Sequence, residues 1–172
     1  MTTQIFKIRR GILIPFGICA ALLVCLLVLA LLGKGSALER IALAGITFLT
    51  VALFLNARDR RITMTDQKIL IRKFFRTKEI SRDEISHVGS VILRKRVYLL
   101  LTTARGFFVL SNAYDHFSIL IRSLIENISP EKVEEDVRAQ GQNPMKNRAD
   151  VISLWLAVVV ICAIIVLKVS SI

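Results

Sequence analysis

The sequence predicts an integral membrane α-helical protein with three transmembrane helices, joined to a small antiparallel β-barrel or sheet domain that a C-terminal amphipathic helix closes. Two apolar blocks near the N-terminus and a third at the C-terminus predict the membrane part. Between them the apolar residues switch to short alternating runs, which predict the sheet. The 172 residues are 54% hydrophobic, and because that content is concentrated in the three blocks, room remains for one modest globular domain.

Residues 1–10 read as a cytoplasmic N-terminal segment and 11–33 as the first span, which carries no charge at all. A helix needs roughly 20 apolar residues to cross about 30 Å of hydrocarbon, and this run is also too long for the apolar region of a signal peptide. Gly33-Lys34-Gly35-Ser36 is a turn signal, so 34–40 form a short external loop. The second span, 41–56, is short and needs Arg40 to snorkel at one end with Asn56 at the other; an interfacial or buried helix is the alternative, and it would put the middle domain on the opposite side. The third span, 151–169, carries Trp155 where an interfacial aromatic belongs. Cys19, Cys25 and Cys162 all fall inside spans as small packing residues, and Gly17-x-x-x-Ala21 offers a small-residue packing site. No Asp, Glu, Lys, Arg or His lies within the apolar runs 11–33, 41–55 and 151–167, which disfavours a transport path.

Orientation follows from the cations. Lys7, Arg9, Arg10, Arg58, Arg60, Arg61, Lys146 and Arg148 flank one side of the spans, against Lys34, Arg40 and Lys168 on the other. Short loops rich in Lys and Arg stay in the cytoplasm, so the N-terminus and the middle domain are expected there, with Arg58, Arg60 and Arg61 as topology determinants.

In the middle domain, 57–128, Ile62 and Met64 alternate with Thr63 and Thr65, Asp66-Gln67 turns the chain, and 68–75 continue as a second strand. Further strands are expected over 78–81, 85–93, 97–103 and 107–110. The period then becomes helical: Phe117, Leu120, Ile121, Leu124, Ile125 and Ile128 form one stripe over 114–128, behind an Asn112-x-x-Asp115 start that suits a cap. Residues 129–150 read as a polar helix opening at Ser129-Pro130-Glu131 and ending at Gly141, followed by a linker.

The run Arg61-Ile62-Thr63-Met64-Thr65-Asp66-Gln67-Lys68-Ile69-Leu70-Ile71-Arg72-Lys73, then Lys78-Glu79-Ile80-Ser81 and Asp83-Glu84-Ile85-Ser86-His87-Val88, resembles the bacterial pleckstrin-homology domain membrane proteins. The likeness covers about residues 58–128. It implies a small bent barrel of antiparallel strands plugged at one end by the helix, preceded by a pair of membrane helices, in the bacterial cytoplasmic (inner) membrane. It does not supply a functional site.

No constellation points to catalysis, a metal or a cofactor. His87 and His116, the only histidines, have no metal-spaced neighbours, the serines lack a nucleophile elbow, and Asp83-Glu84 sit beside Arg82 as a solvated turn. The chain is strongly basic, at a formal +11, with dense positive charge in Arg72, Lys73, Arg76, Lys78 and Arg82 and again in Arg94-Lys95-Arg96. Arg72, Lys73, Arg76 and Lys78 are the candidate anion- or lipid-contact residues; the alternative is a strand edge protected by charge. Nucleic acid is disfavoured because Phe74, Phe75, Phe107 and Phe108 lie in strands, where core packing accounts for them. The expected partners are membrane lipids and a membrane or cytoplasmic protein, bound by a non-catalytic scaffold. An accessory or assembly subunit of a larger membrane complex is the alternative function.

Overall fold

A computed structural model of the chain describes residues 3–33, 36–73, 76–93, 96–104, 106–126, 128–142 and 149–170. In chain order its elements are β1 (Gln4–Lys7), α1 (Arg10–Leu32), α2 (Ala37–Asp59), β2 (Arg61–Met64), β3 (Lys68–Lys73), β4 (Arg76–Ser81), β5 (Ile85–Leu93), β6 (Arg96–Thr103), β7 (Gly106–Ser111), α3 (Phe117–Ile125), α4 (Glu135–Gln142) and α5 (Ala149–Ser170). They fall into two units, one of Met1–Arg9 with Asp59–Asn147 and one of Arg10–Arg58 with Arg148–Ile172.

The second unit is the three apolar helices, each long and apolar enough to cross a membrane. At about 1.5 Å per residue, 22 or 23 residues match the hydrocarbon thickness. The segment read as a short span over 41–56 belongs to a helix of 23 residues. Hydropathy stops at the last apolar residue, whereas the helix runs on through Glu39, Arg40, Asn56 and Arg58. Ser36 starts it by accepting a hydrogen bond from the Glu39 amide at 3.2 Å, and Arg40 turns back to donate to the Gly33 carbonyl at 2.8 Å.

Within this unit α1 is the central helix, burying Pro15, Cys19, Ala20, Leu26 and Ala30, while Thr47 is buried on α2 and Val158 on α5. Phe16 and Phe54 meet edge to face at 5.8 Å, and a Cβ at Gly17 would lie 3.1 Å from the Phe54 ring, so the glycine is what admits that ring. Ala21 is exposed, which leaves only the first half of the small-residue pair in use. Thr47 donates to the Leu23 carbonyl and Cys19 to that of Leu154, and Lys168 in the last turn of α5 forms an ion pair with Glu39 in the first turn of α2.

The other unit is built on two antiparallel sheets, β1-β2-β3-β4 and β5-β6-β7, rather than a closed barrel. Ser81 leads through a single 3-10 turn at Arg82–Glu84 into β5, which pairs with β6 and not with β4. The inward residues Ile62, Met64, Ile69 and Ile80 of the first sheet, Val88, Leu99, Leu101 and Leu110 of the second, and Leu120, Ile121 and Leu124 of α3 are all at most 1% exposed and make the core.

The N-terminal residues are not a plain tail. Gln4–Lys7 pair with Met64–Arg61, so the first sheet begins before α1 and α2 and resumes after them. Phe6 and Ile8 are buried, the Asp115 amide donates to the Lys7 carbonyl at 2.8 Å, and the Arg9 amide donates to the Ala113 carbonyl at 3.0 Å. Four residues carry too little alternation to be recognised as a strand, and their cations read as topology signals instead.

Two helix starts also differ from expectation. The N-cap of α3 is not Asn112 but His116, at φ 50°, whose amide donates to Asp115 Oδ1 at 3.0 Å, and Tyr114 is drawn into a bridge with Ile8, so the helix begins at Phe117. After it, Pro130–Lys132 form only a 3-10 turn, Val133 bridges to Val88 in parallel, and α4 starts at Glu135. The segment read as a polar helix and linker is thus docked on the domain, with Val137 fully buried and Arg122 donating to the Gly141 carbonyl. The linker over 143–148 lies outside the described residues.

Candidate functional site

Strand direction gathers the basic residues. β2 starts at Arg61, β1 ends at Lys7 and β3 ends at Lys73, and because the strands are antiparallel all three ends lie at one end of the first sheet, together with Arg76 at the start of β4. The same end carries Arg9 and Arg60, the residues next to which the chain runs into α1 and out of α2. Of the topology determinants, Arg58 lies in the last turn of α2, Arg60 follows the helix and Arg61 opens β2.

Register then divides the lipid-contact candidates between two faces. Lys7 lies opposite Arg61, and Arg61 opposite Arg72, which makes a row of three cations across adjacent strands. That row has the parity opposite to the buried Ile62 and Ile71 and therefore faces outward. Lys73, Arg76 and Lys78 share the parity of Ile69, Ile71 and Ile80, yet all three are exposed: Lys73 and Arg76 pair beyond the last core residue, and Lys78 lies opposite the buried Ile71. Lys78 sits over the Phe108 ring at 5.2 Å. Like charges directly opposite one another cost a few tenths to about 1 kcal/mol. Among the described residues none of Lys7, Arg61 or Arg72 has an ion-pair partner, whereas Lys68 pairs with Glu79 at 2.6 Å. Lys7 entered the sequence reading only as a topology signal, since its place beside Arg61 depends on β1.

Arg82 plays a different part. It is 7% exposed, donates from Nε to the Thr65 carbonyl at 3.1 Å and from Nη1 to the Ser123 carbonyl at 2.9 Å, and so ties the β2–β3 turn to α3. Burial lowers its pKa, with Asp66 and Glu126 pulling the other way. Its charge is spent on structure and is not available to a ligand.

The aromatic expectation is corrected in part. Phe107 is 70% exposed on the outward face of β7, so core packing does not account for it; Phe108 is half-buried, and Phe74 and Phe75 lie outside the described residues. The aromatic sits at the start of an edge strand, where period-2 alternation alone does not say which parity faces in.

The histidines occupy surface positions. His87 Nε2 meets Glu134 Oε1 at 3.0 Å, and Glu134 Oε2 accepts from the Ser90 amide at 3.1 Å, which clasps the start of α4 to β5. The His87 hydrogen bond, and after it the Ser90 amide, hold the Glu134 carboxyl below its ordinary pKa. A Cβ at Gly89 would fall 3.0 Å from that carboxylate, so glycine is what lets it lie flat on the strand. His116 lies beside Asp115 at 3.9 Å. Among the described residues no three His, Cys, Asp or Glu side chains gather as a metal site would require. No protein-family model, curated protein or solved structure matches this chain.

Proposed function

We propose that the chain is a non-catalytic binding or scaffold protein of the bacterial cytoplasmic membrane, whose cytoplasmic domain, similar to pleckstrin-homology domains, contacts anionic lipid head groups. The observation that carries this reading is the set of cations toward the end of the first sheet at which the chain enters α1 and leaves α2: Lys7, Arg61, Arg72, Lys73, Arg76 and Lys78. Four- and three-stranded sheets followed by an amphipathic helix support the family likeness. Pairing of β1 with β2 supports the topology, because two strands of one sheet lie on one side of a bilayer and α1 and α2 must then cross it as a pair. Cysteines introduced at Glu131 and Ser36 in intact cells are expected to label with an impermeant reagent at position 36 only. Labelling at 131 alone would reverse the orientation.

Lipid contact is tested on a soluble form in which residues 3–9 are joined by a flexible linker to residues 60–142. Each cation near an anionic surface contributes about 1 kcal/mol, so reversing Arg61, Arg72, Lys73 and Arg76 to Glu should weaken vesicle binding by about 4 kcal/mol, on the order of a thousandfold. Added salt should weaken the unmodified domain as well. If anionic vesicles fail to bind it even at low salt, lipid contact is excluded and a protein partner becomes the better account. One observation favours the accessory-subunit alternative: Phe107 and Val109 leave apolar surface exposed on the outward face of β7. A stoichiometric protein retained through gentle solubilisation would support that reading.

A further inference from the structure

β5 stands at one edge of the second sheet, and folded proteins leave such an edge paired, covered or charged. Here residues 132–134 cover it. Val133 bridges to Val88 in parallel, the Glu134 amide donates to the Val88 carbonyl at 3.0 Å, and Lys132 Nζ donates to the Ile85 carbonyl at 3.3 Å. A parallel strand that ran on would meet the Ser90 amide with the carbonyl of residue 134. The chain turns into α4 at Glu135 instead, and the Glu134 carboxylate accepts from that amide at 3.1 Å. With His87 on its other oxygen and Gly89 clearing the space between, this one carboxylate sits in a receptor built on a single strand.

The helix behind the carboxylate has a small hold of its own. Of its eight residues Val137, Gln140 and Gly141 are buried and the other five exposed, so Val137 is its one buried aliphatic side chain. At its far end Gly141 lies against Ile121 of α3, and Arg122 donates from Nε to the Gly141 carbonyl at 3.1 Å, which closes the last turn. A helix this short is unstable by itself, so α4 is helical because it is docked, and undocking melts it. What undocking uncovers is specific: a strand edge with the Val88 carbonyl and the Ser90 amide free, the carboxylate receptor of His87 and Gly89, and the Ile121 and Arg122 side chains of α3.

We propose that residues 132–142 are an exchangeable strap over a peptide-binding groove between β5 and α3, and that the groove takes in their place a partner peptide of the same pattern: an aliphatic residue, a glutamate directly after it, and a second aliphatic residue three positions beyond the glutamate. Val133, Glu134 and Val137 supply that pattern within the chain. Addition of a strand to an open sheet edge gives a peptide its backbone hydrogen bonds, and the receptor at His87, Gly89 and Ser90 gives specificity for the carboxylate. The strap of a second copy is the weaker competitor, because each copy's strap already faces its own groove at the high effective concentration of an intramolecular contact. The groove is thus closed until a foreign peptide of matching pattern displaces the strap, and its residues are separate from the cations of the first sheet.

The test uses the full chain in mild detergent and, as probe, a fluorescent peptide with the sequence of residues 129–142. Glu134→Ala combined with Val137→Ser releases the strap and leaves every groove residue in place, so amide hydrogen exchange over residues 135–142 should become fast. Fluorescence anisotropy should then show the peptide binding the released chain at least about tenfold more tightly than the unsubstituted chain, in which the strap fills the groove. A peptide carrying Glu134→Ala should lose this binding. Adding Gly89→Ala to the released chain should abolish it too, with His87→Ala, at an exposed position, as the second groove variant should the first fail to fold. Exchange that stays slow in the doubly substituted chain, or a peptide that fails to bind the released chain, overturns the exchangeable strap. Binding that survives loss of the peptide's glutamate overturns carboxylate recognition. An unsubstituted chain that is dimeric where the released chain is monomeric assigns the groove to the strap of a second copy and overturns the foreign partner.

Discussion

A chain fragment of residues 59–142, lacking the N-terminal strand, is expected to be unfolded or molten, while the same fragment preceded by residues 3–9 and a short flexible linker is expected to fold. Removing β1 strips the ladder from β2 and takes away Phe6 and Ile8, both buried. Burial of each side chain is worth roughly 1.5–3 kcal/mol, so the two together amount to about 5 kcal/mol, comparable with the whole stability of a small domain. It also opens β2 as an unprotected edge. The linked form restores the pairing without the membrane helices, because Lys7 lies opposite Arg61 and a few residues reach from one strand end to the other. Amide dispersion and circular dichroism of the two fragments check this, and a well-dispersed spectrum from residues 59–142 alone would show that β1 is dispensable.

The second large effect is expected at Leu124. It is fully buried in α3 beside Leu120 and Ile121, so Leu124→Asp both removes apolar packing and places an unpaired carboxylate in the core. The two terms together exceed about 4 kcal/mol, enough to unfold this unit. Leu124→Met keeps volume and polarity close and should cost less than about 1.5 kcal/mol. Limited proteolysis of the full chain in membranes separates them: the Asp variant should be cut within residues 59–142 under conditions in which the Met variant and the unsubstituted chain survive. Equal resistance of all three would remove α3 from the core.

These expectations show what sequence could and could not convey. The three apolar helices were legible because length and purity of an apolar run are local properties, and at α2 the helix extends past the apolar run at both ends, where Glu39 and Arg58 are helical though charged. Strands β2 to β7 were legible from alternation. Helix starts depended on backbone choices invisible in composition: the left-handed His116 at the head of α3, and the extended Val133 that delays α4. The candidate cations were found as local density, but their division into an outward row at Arg72 and a second group at Lys73, Arg76 and Lys78 is a matter of register. Register in turn includes Lys7, which is remote in sequence from its neighbours in space. Arg82 looked like the other cations and is buried among carbonyls, a distinction that only tertiary structure makes.

The interruption of the first sheet by α1 and α2 also bears on how the protein is made. The first strand leaves the ribosome long before its partner, and it stays without that partner until both helices have been synthesised and placed. If α1 and α2 cross a bilayer as proposed, a chain that inserted only one of them would leave β1 and β2 on opposite sides, unable to pair. Under the proposed topology, completion of the domain is a check on membrane insertion. A correctly threaded chain buries Phe6 against its own fold, and a misthreaded one keeps open strand edges and apolar side chains exposed, the features by which quality-control proteases select their substrates.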